Sequence, residues 1–94
     1  MDKLSETEIE QQLTESPEWS VVNDEITRTY LFDDFRASIA FVNRIAEYAE
    51  REQHHPDILI RYNKVTLTVS THDAGGITQK DFDLAVESEK LAKV

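Results

Sequence analysis

All three histidines of the chain fall in two short segments, Gln53-His54-His55-Pro56 and Ser70-Thr71-His72-Asp73. Between them lie two runs that read as strands, Ile58 to Tyr62 and Lys64 to Ser70, joined by a tight turn near Asn63. Antiparallel pairing about that turn matches residues whose numbers sum to about 126. His54 and His55 are then laid beside the neighbourhood of His72, at one end of a sheet. Glu50 precedes His54 by one helical turn, so it reaches the same place, and Asp73 follows His72 directly. The expected constellation is three imidazoles and two carboxylates.

Three chemistries are open to such a set. Imidazole can donate or accept a proton at neutral pH while a carboxylate orients it, which is the equipment of general acid–base catalysis. Neutral imidazole and carboxylate also bind zinc, although adjacent histidines chelate poorly from regular backbone and no H-E-x-x-H motif is present. The third reading is a polar cluster with a structural role, its histidines solvated or hydrogen-bonded at the surface. Nucleophilic catalysis finds no support, because no Ser or Thr carries an elbow or triad context. Gly75-Gly76 lacks the Lys-Ser/Thr of a phosphate loop, and backbone freedom ahead of Thr78 accounts for it. Trp19 reads as partly core, with an indole able to stack on a flat ligand at a cleft edge. Tyr62 reads as a packing residue near the turn, and Asp81 as part of a capping box without further duty.

The elements that must hold these residues are legible from pattern. Ser5 and Glu8 form a capping box ahead of a short helix with Ile9 and Leu13 on one face, ending before Pro17. Trp19 to Val22 and Ile26 to Phe32 flank the turn dipeptide Asn23-Asp24 as a β-hairpin, with Arg28 interrupting the alternation of its second strand. Asp33 or Asp34 caps a longer helix whose stripe is Phe35, Ile39, Val42, Ala46 and Ala49, widened by Ile45. That helix stops near Gln53 or His54, since the residue before Pro56 is pushed out of the helical region. Val65, Leu67 and Val69 alternate with Thr66, Thr68 and Ser70 in a strand with one buried face. After a flexible connection at residues 73–76, Thr78 and Asp81 cap a last helix reaching about Leu91. The order α-β-β-α-β-β-α predicts an α+β fold, a four-stranded antiparallel sheet with its helices on one face.

Composition bounds the rest. The 94 residues, 39% hydrophobic and 31% charged with 2 Gly and 2 Pro, describe one domain spanning 1–94. No apolar run approaches the roughly 20 residues of a membrane span, and MDKLSETEIE lacks the basic and apolar regions of a secretory leader. Cysteine is absent, which removes disulfides and thiolate chemistry and is compatible with the reducing cytoplasm. The net charge of -9 repels phosphate, so direct nucleic-acid binding and anionic membrane surfaces are disfavoured. A core this small leaves a surface cleft, or a space between subunits, as the place for a ligand.

Glu50, His54-His55-Pro56, Tyr62, His72 and Asp81 together resemble the pterin-4a-carbinolamine dehydratase family, known also as the dimerisation cofactor of a homeodomain transcription factor. The flanking Tyr62-to-Val65 and Ser70-to-Asp73 segments and Trp19 at the first strand extend the likeness over roughly Trp19 to Leu91. The resemblance implies dehydration of the 4a-hydroxytetrahydropterin left by aromatic amino-acid hydroxylases, giving quinonoid dihydropterin, with no metal or organic cofactor. It implies His54, His55 and His72 as active-site histidines and Glu50 as their acidic partner. Substrate contacts are implied for Trp19, Gln53, Pro56, Ser70, Thr71 and Asp73, and a homodimer or homotetramer for the assembly. Gln53 departs from the Asp or Asn of many relatives, which alters a contact there. Relatives acting as coactivators or assembly modules, or linked with molybdenum-cofactor metabolism, supply the rival functions.

Overall fold

The computed structural model describes residues 2–94, and its elements follow the expected order. They are α1 (Glu6–Glu15), β1 (Ser20–Val22), β2 (Glu25–Leu31), α2 (Phe35–Glu52), β3 (Asp57–Arg61), β4 (Lys64–Val69) and α3 (Gln79–Ala92). A short 3-10 turn at His72–Ala74, which the pattern did not signal, stands between β4 and α3. The sheet is antiparallel throughout, with spatial order β1-β2-β4-β3. The segment expected to be a flexible connection is instead closed by a bridge between Thr71 and Gly76. Gly75 takes φ +75, the left-handed conformation for which glycine carries no steric cost.

Local chemistry explains the boundaries. The Ser5–Glu8 and Thr78–Asp81 capping boxes are both formed, and Asp34 caps α2 by accepting from the Ala37 amide at 2.8 Å. Asn23 and Asp24 have φ of 51 and 61, as a two-residue hairpin whose twist matches its strands requires. The β3–β4 turn falls on Tyr62 and Asn63, pairing Arg61 with Lys64 and Asp57 with Thr68. The register therefore lies one residue from the expected one.

The core lies between one sheet face and the helices. Ile26, Tyr30, Val65, Leu67 and Val69 meet Phe41, Ile45, Phe82, Leu84 and Ala85, all buried. On α2 the buried residues are Ser38, Phe41, Ile45 and Ala49. The inner face is thus rotated from the expected stripe, and Phe35 is left 50% exposed. Ser38 reconciles its burial with its hydroxyl by donating to the Asp34 carbonyl at 3.1 Å.

Arg28 does not break the pleat. It shares the inner face with Ile26 and Tyr30, lays its guanidinium 4.0 Å from the Tyr30 ring centroid, and pairs with Glu89. The Tyr30 hydroxyl donates to the same carboxylate at 3.0 Å. Burial pushes the Tyr30 phenol from its usual 10.0 up to about 12, the nearby Arg28 charge working against that rise. Because the folded value is the higher one, this contribution to stability is whole below pH ~10 and is lost as pH climbs through ~12. Titration followed by tyrosinate absorbance should show one late ionisation near pH 12, absent from Tyr30→Phe.

Candidate active site

The C-terminus of α2 delivers the first histidines. Gln53 closes the helix in the left-handed conformation, φ 52, and the His54 amide donates back to the Ala49 carbonyl at 3.1 Å. This is the Schellman ending, which turns the chain sharply so that His54, His55 and Pro56 lead straight into β3. The Gln53 side chain donates to the Glu50 carbonyl at 2.7 Å, so it caps the helix that carries it. Gln53→Gly should raise stability by up to about 1 kcal/mol, read from the urea midpoint, since glycine occupies this conformation without strain.

His54 is held from across the molecule. Its Nε2 lies 2.6 Å from Oδ1 of Asp81, a residue with no exposure at all. The other oxygen, Oδ2, accepts the Thr78 amide at 2.8 Å and the Thr71 hydroxyl at 2.9 Å. Thr71 therefore receives the Thr78 hydroxyl, 2.7 Å away, as its own donor. A carboxylate only accepts, which makes His54 Nε2 the donor to Asp81. The end of α2, the exit of β4 and the first turn of α3 are tied together through one carboxylate.

The other expected residues divide into two groups. His55 Nε2 lies 2.5 Å from Glu50 Oε2, and both side chains are largely exposed. His72 and Asp73 ride the 3-10 turn immediately after Thr71 and are exposed. His72 opens on a cavity of about 300 Å³ shared with Asn23, Asp24, Glu25, Ser70 and the two glycines. Glu25 accepts the Ser70 hydroxyl there at 3.2 Å. The His54 hollow, lined also by Tyr48, Glu52, Lys80 and Asp83, holds only about 30 Å³, room for a water and no more. His54 is thus linked through Asp81 to Thr71, the chain neighbour of His72, while His55 stands apart on Glu50. Among the described residues no group of His, Asp and Glu is spaced to hold a metal ion.

Trp19 does not join this group. It is 3% exposed and packs edge-on to Tyr30, ring centroids 6.5 Å apart, so the indole belongs to the core. Pro56 is half-buried between the histidines and β3. Asp81 stands among the residues that carry the family resemblance, but its capping pattern alone assigned it no further duty. The capping box at Thr78 uses only one carboxylate oxygen, and the unused Oδ1 was the available signal of a further partner.

The chain matches known proteins over nearly all of its length. The profile of the pterin 4 alpha carbinolamine dehydratase family matches residues 2–91. The chain belongs to that family. It is 55% identical over 91 residues to a protein of Cyanothece sp. provisionally named pterin-4-alpha-carbinolamine dehydratase, covering 97% of this chain and 94% of the relative. A similarly named protein of Chloroflexus aurantiacus is 53% identical over 91 residues, covering 97% and 98%. The crystal structure of a transcriptional coactivator/pterin dehydratase from Brucella melitensis superposes with a TM-score of 0.93 at 33% identity, covering 97% of this chain and 99% of that one. A pterin dehydratase-like protein identified as a RuBisCO assembly factor in the alpha-carboxysome shares the fold, with TM-score 0.65 at 19% identity over 79% of this chain and 86% of that one. No helix among the described residues is long and apolar enough to cross a membrane.

Proposed function

We propose that the protein dehydrates 4a-hydroxytetrahydropterin to quinonoid dihydropterin and water by histidine general acid–base catalysis. The observation that carries this reading is the Thr71–Asp81–His54 chain, in which a buried carboxylate fixes one imidazole tautomer beside the loop that presents His72. The reaction needs little more. The lone pair of the ring nitrogen expels the 4a-hydroxyl while one imidazolium protonates the departing oxygen, and a second imidazole takes the proton lost from the ring. Water leaves, no electrons are exchanged with a partner, and no metal or organic cofactor enters the balance.

His54 and His72 are assigned as acid and base, exchanging roles with the face of the substrate. The cavity beside His72, which Ser70 also lines, has the size expected for a small heterocycle, whereas His54 opens on its own small hollow. His55 and Glu50, paired at the rim, orient the ring, and Gln53, Pro56, Ser70, Thr71 and Asp73 frame it. The proposed setting is tetrahydropterin recycling in the cytoplasm, after an aromatic amino-acid hydroxylase, with the protein as a homo-oligomer.

The test is dehydration of freshly generated 4a-hydroxytetrahydropterin followed by ultraviolet absorbance. Wild type should exceed the spontaneous rate, and His54→Ala and His72→Ala should each fall towards it. A wild-type rate equal to the spontaneous one overturns the proposal. The second reading, a protein-binding or assembly module, draws on Phe35, 50% exposed on α2, and on the coactivator and assembly roles carried by the names of structural neighbours. It predicts that a histidine-free variant keeps its biological function.

A further inference from the structure

The cavity beside His72 has a wall that no motif announces. Asn23 and Asp24 make the two-residue turn of the first hairpin, and Glu25 opens β2 directly after it, paired with Val22. Ile26 and Val69 are paired and buried, so the alternation of the strands turns Glu25 and Ser70 to the opposite face of the sheet. The same register, carried one step past β4, sets Ser70 across from Glu25, and the hydrogen bond between their side chains agrees with it. β2 is an interior strand, held by β1 on one side and β4 on the other. Glu25 is therefore a half-buried carboxylate on fixed backbone, whereas Asp24 is exposed in the turn.

No Trp, Tyr or Phe lines this cavity. Trp19 is core, and Tyr62, expected to pack near its turn, is instead 64% exposed at the other end of β4. Recognition of a flat ring here falls to polar groups. The Ser70 hydroxyl uses one of about four acceptor positions on the Glu25 carboxylate, and the rest suit a ligand that brings donors. A pterin brings two, side by side. Its C2 amino group and the adjacent N3–H form a fork like one edge of a guanidinium, which a carboxylate accepts with two parallel hydrogen bonds. The reacting C4a belongs to the same ring, so a ring anchored on Glu25 keeps its 4a-hydroxyl in the cavity that His72 also lines.

We infer that Glu25 binds the 2-amino and N3–H edge of the substrate and sets the preference of the site for a 2-aminopteridine over a 2-oxopteridine. The inference rests on the proposed dehydratase function, and it adds a binding residue from the first hairpin, outside the two histidine segments. In a 2-oxo ring a carbonyl replaces the amino group, so one hydrogen bond is lost and two acceptors face each other. Glu25→Gln reverses the match, because its amide offers an oxygen to N3–H and an NH₂ to the 2-oxo group.

Fluorescence titration with 7,8-dihydropterin and 7,8-dihydrolumazine reads this preference without turnover. Wild type should bind dihydropterin at least about tenfold more tightly than dihydrolumazine, and Glu25→Gln should bind dihydrolumazine the more tightly. In dehydration of 4a-hydroxytetrahydropterin, Glu25→Ala should raise KM at least about tenfold and leave kcat within about threefold, as expected when an interaction is shared by ground and transition states. Glu25→Gln keeps an acceptor for Ser70, so its ring preference decides the matter even where Glu25→Ala folds poorly. No preference in wild type, the wild-type preference in Glu25→Gln, or an unchanged KM in folded Glu25→Ala would each overturn the assignment while the dehydratase reading stands. A wild type that binds neither ring and gives only the spontaneous rate overturns both.

Discussion

The folded His54→Ala/His72→Ala double variant should turn over 4a-hydroxytetrahydropterin at the spontaneous rate. Each acid or base of this kind contributes about 10²–10⁴-fold, and removing both leaves no imidazole on the Asp81-linked path. Folding is not the obstacle. His72 is exposed on its turn, and His54 contributes one donor to Asp81, whose Oδ2 keeps its Thr78 and Thr71 partners. The loss from His54→Ala should be about 1–3 kcal/mol. Circular dichroism checks the fold while ultraviolet absorbance follows the reaction. A rate near wild type in the folded double variant would remove both residues from the chemistry.

Asp81 should show the largest combined effect on stability and rate. Asp81→Ala strands the Thr78 amide, the Thr71 hydroxyl and His54 Nε2 in a site with no exposure. A cost of about 3 kcal/mol or more is expected in urea unfolding. Asp81→Asn separates the two duties of the residue. Its amide oxygen can still accept from Thr78 and Thr71, but its NH₂ then meets His54 Nε2–H, forcing the other tautomer or a displaced ring. Stability should fall modestly while kcat drops about 10²-fold or more. Wild-type kcat in Asp81→Asn would reduce the carboxylate to a helix cap.

The contrast between Asp81 and its cap shows what a sequence carries. Capping boxes, the Asn23-Asp24 turn and the alternation of β4 are settled within a few residues, and each was read correctly from pattern. The approach of His54 and His72 to one sheet end was also legible, because one tight turn fixes a whole hairpin register. The Asp81–His54 bond joins residues that only the packing of α3 against α2 brings together, and the spare Oδ1 of the cap does not say which partner will fill it. The face of α2 was misplaced for a related reason. Its apolar residues cover a broad arc, from Phe35 and Ile39 round to Phe41 and Ile45, and side-chain type alone does not say which flank meets the sheet. Buried Ser38, hydrogen-bonded to its own helix, even marks the inner face with a polar residue.

The β1-β2-β4-β3 order also governs what happens as the chain is made. Each hairpin closes on its neighbour in sequence, but β2 keeps one unsatisfied edge until α2 and β3 have been synthesised and β4 arrives to pair Ile26 with Val69. During that interval a nascent strand is open to foreign strands. Its sequence, EITRTYL, offers them little: threonines fill the outer positions at 27 and 29, and Arg28 puts a charge between Ile26 and Tyr30 on the inner face. The arginine that disturbs the hydrophobic alternation of β2 is a gatekeeper on the growing polypeptide before it is a partner of Glu89 in the finished one.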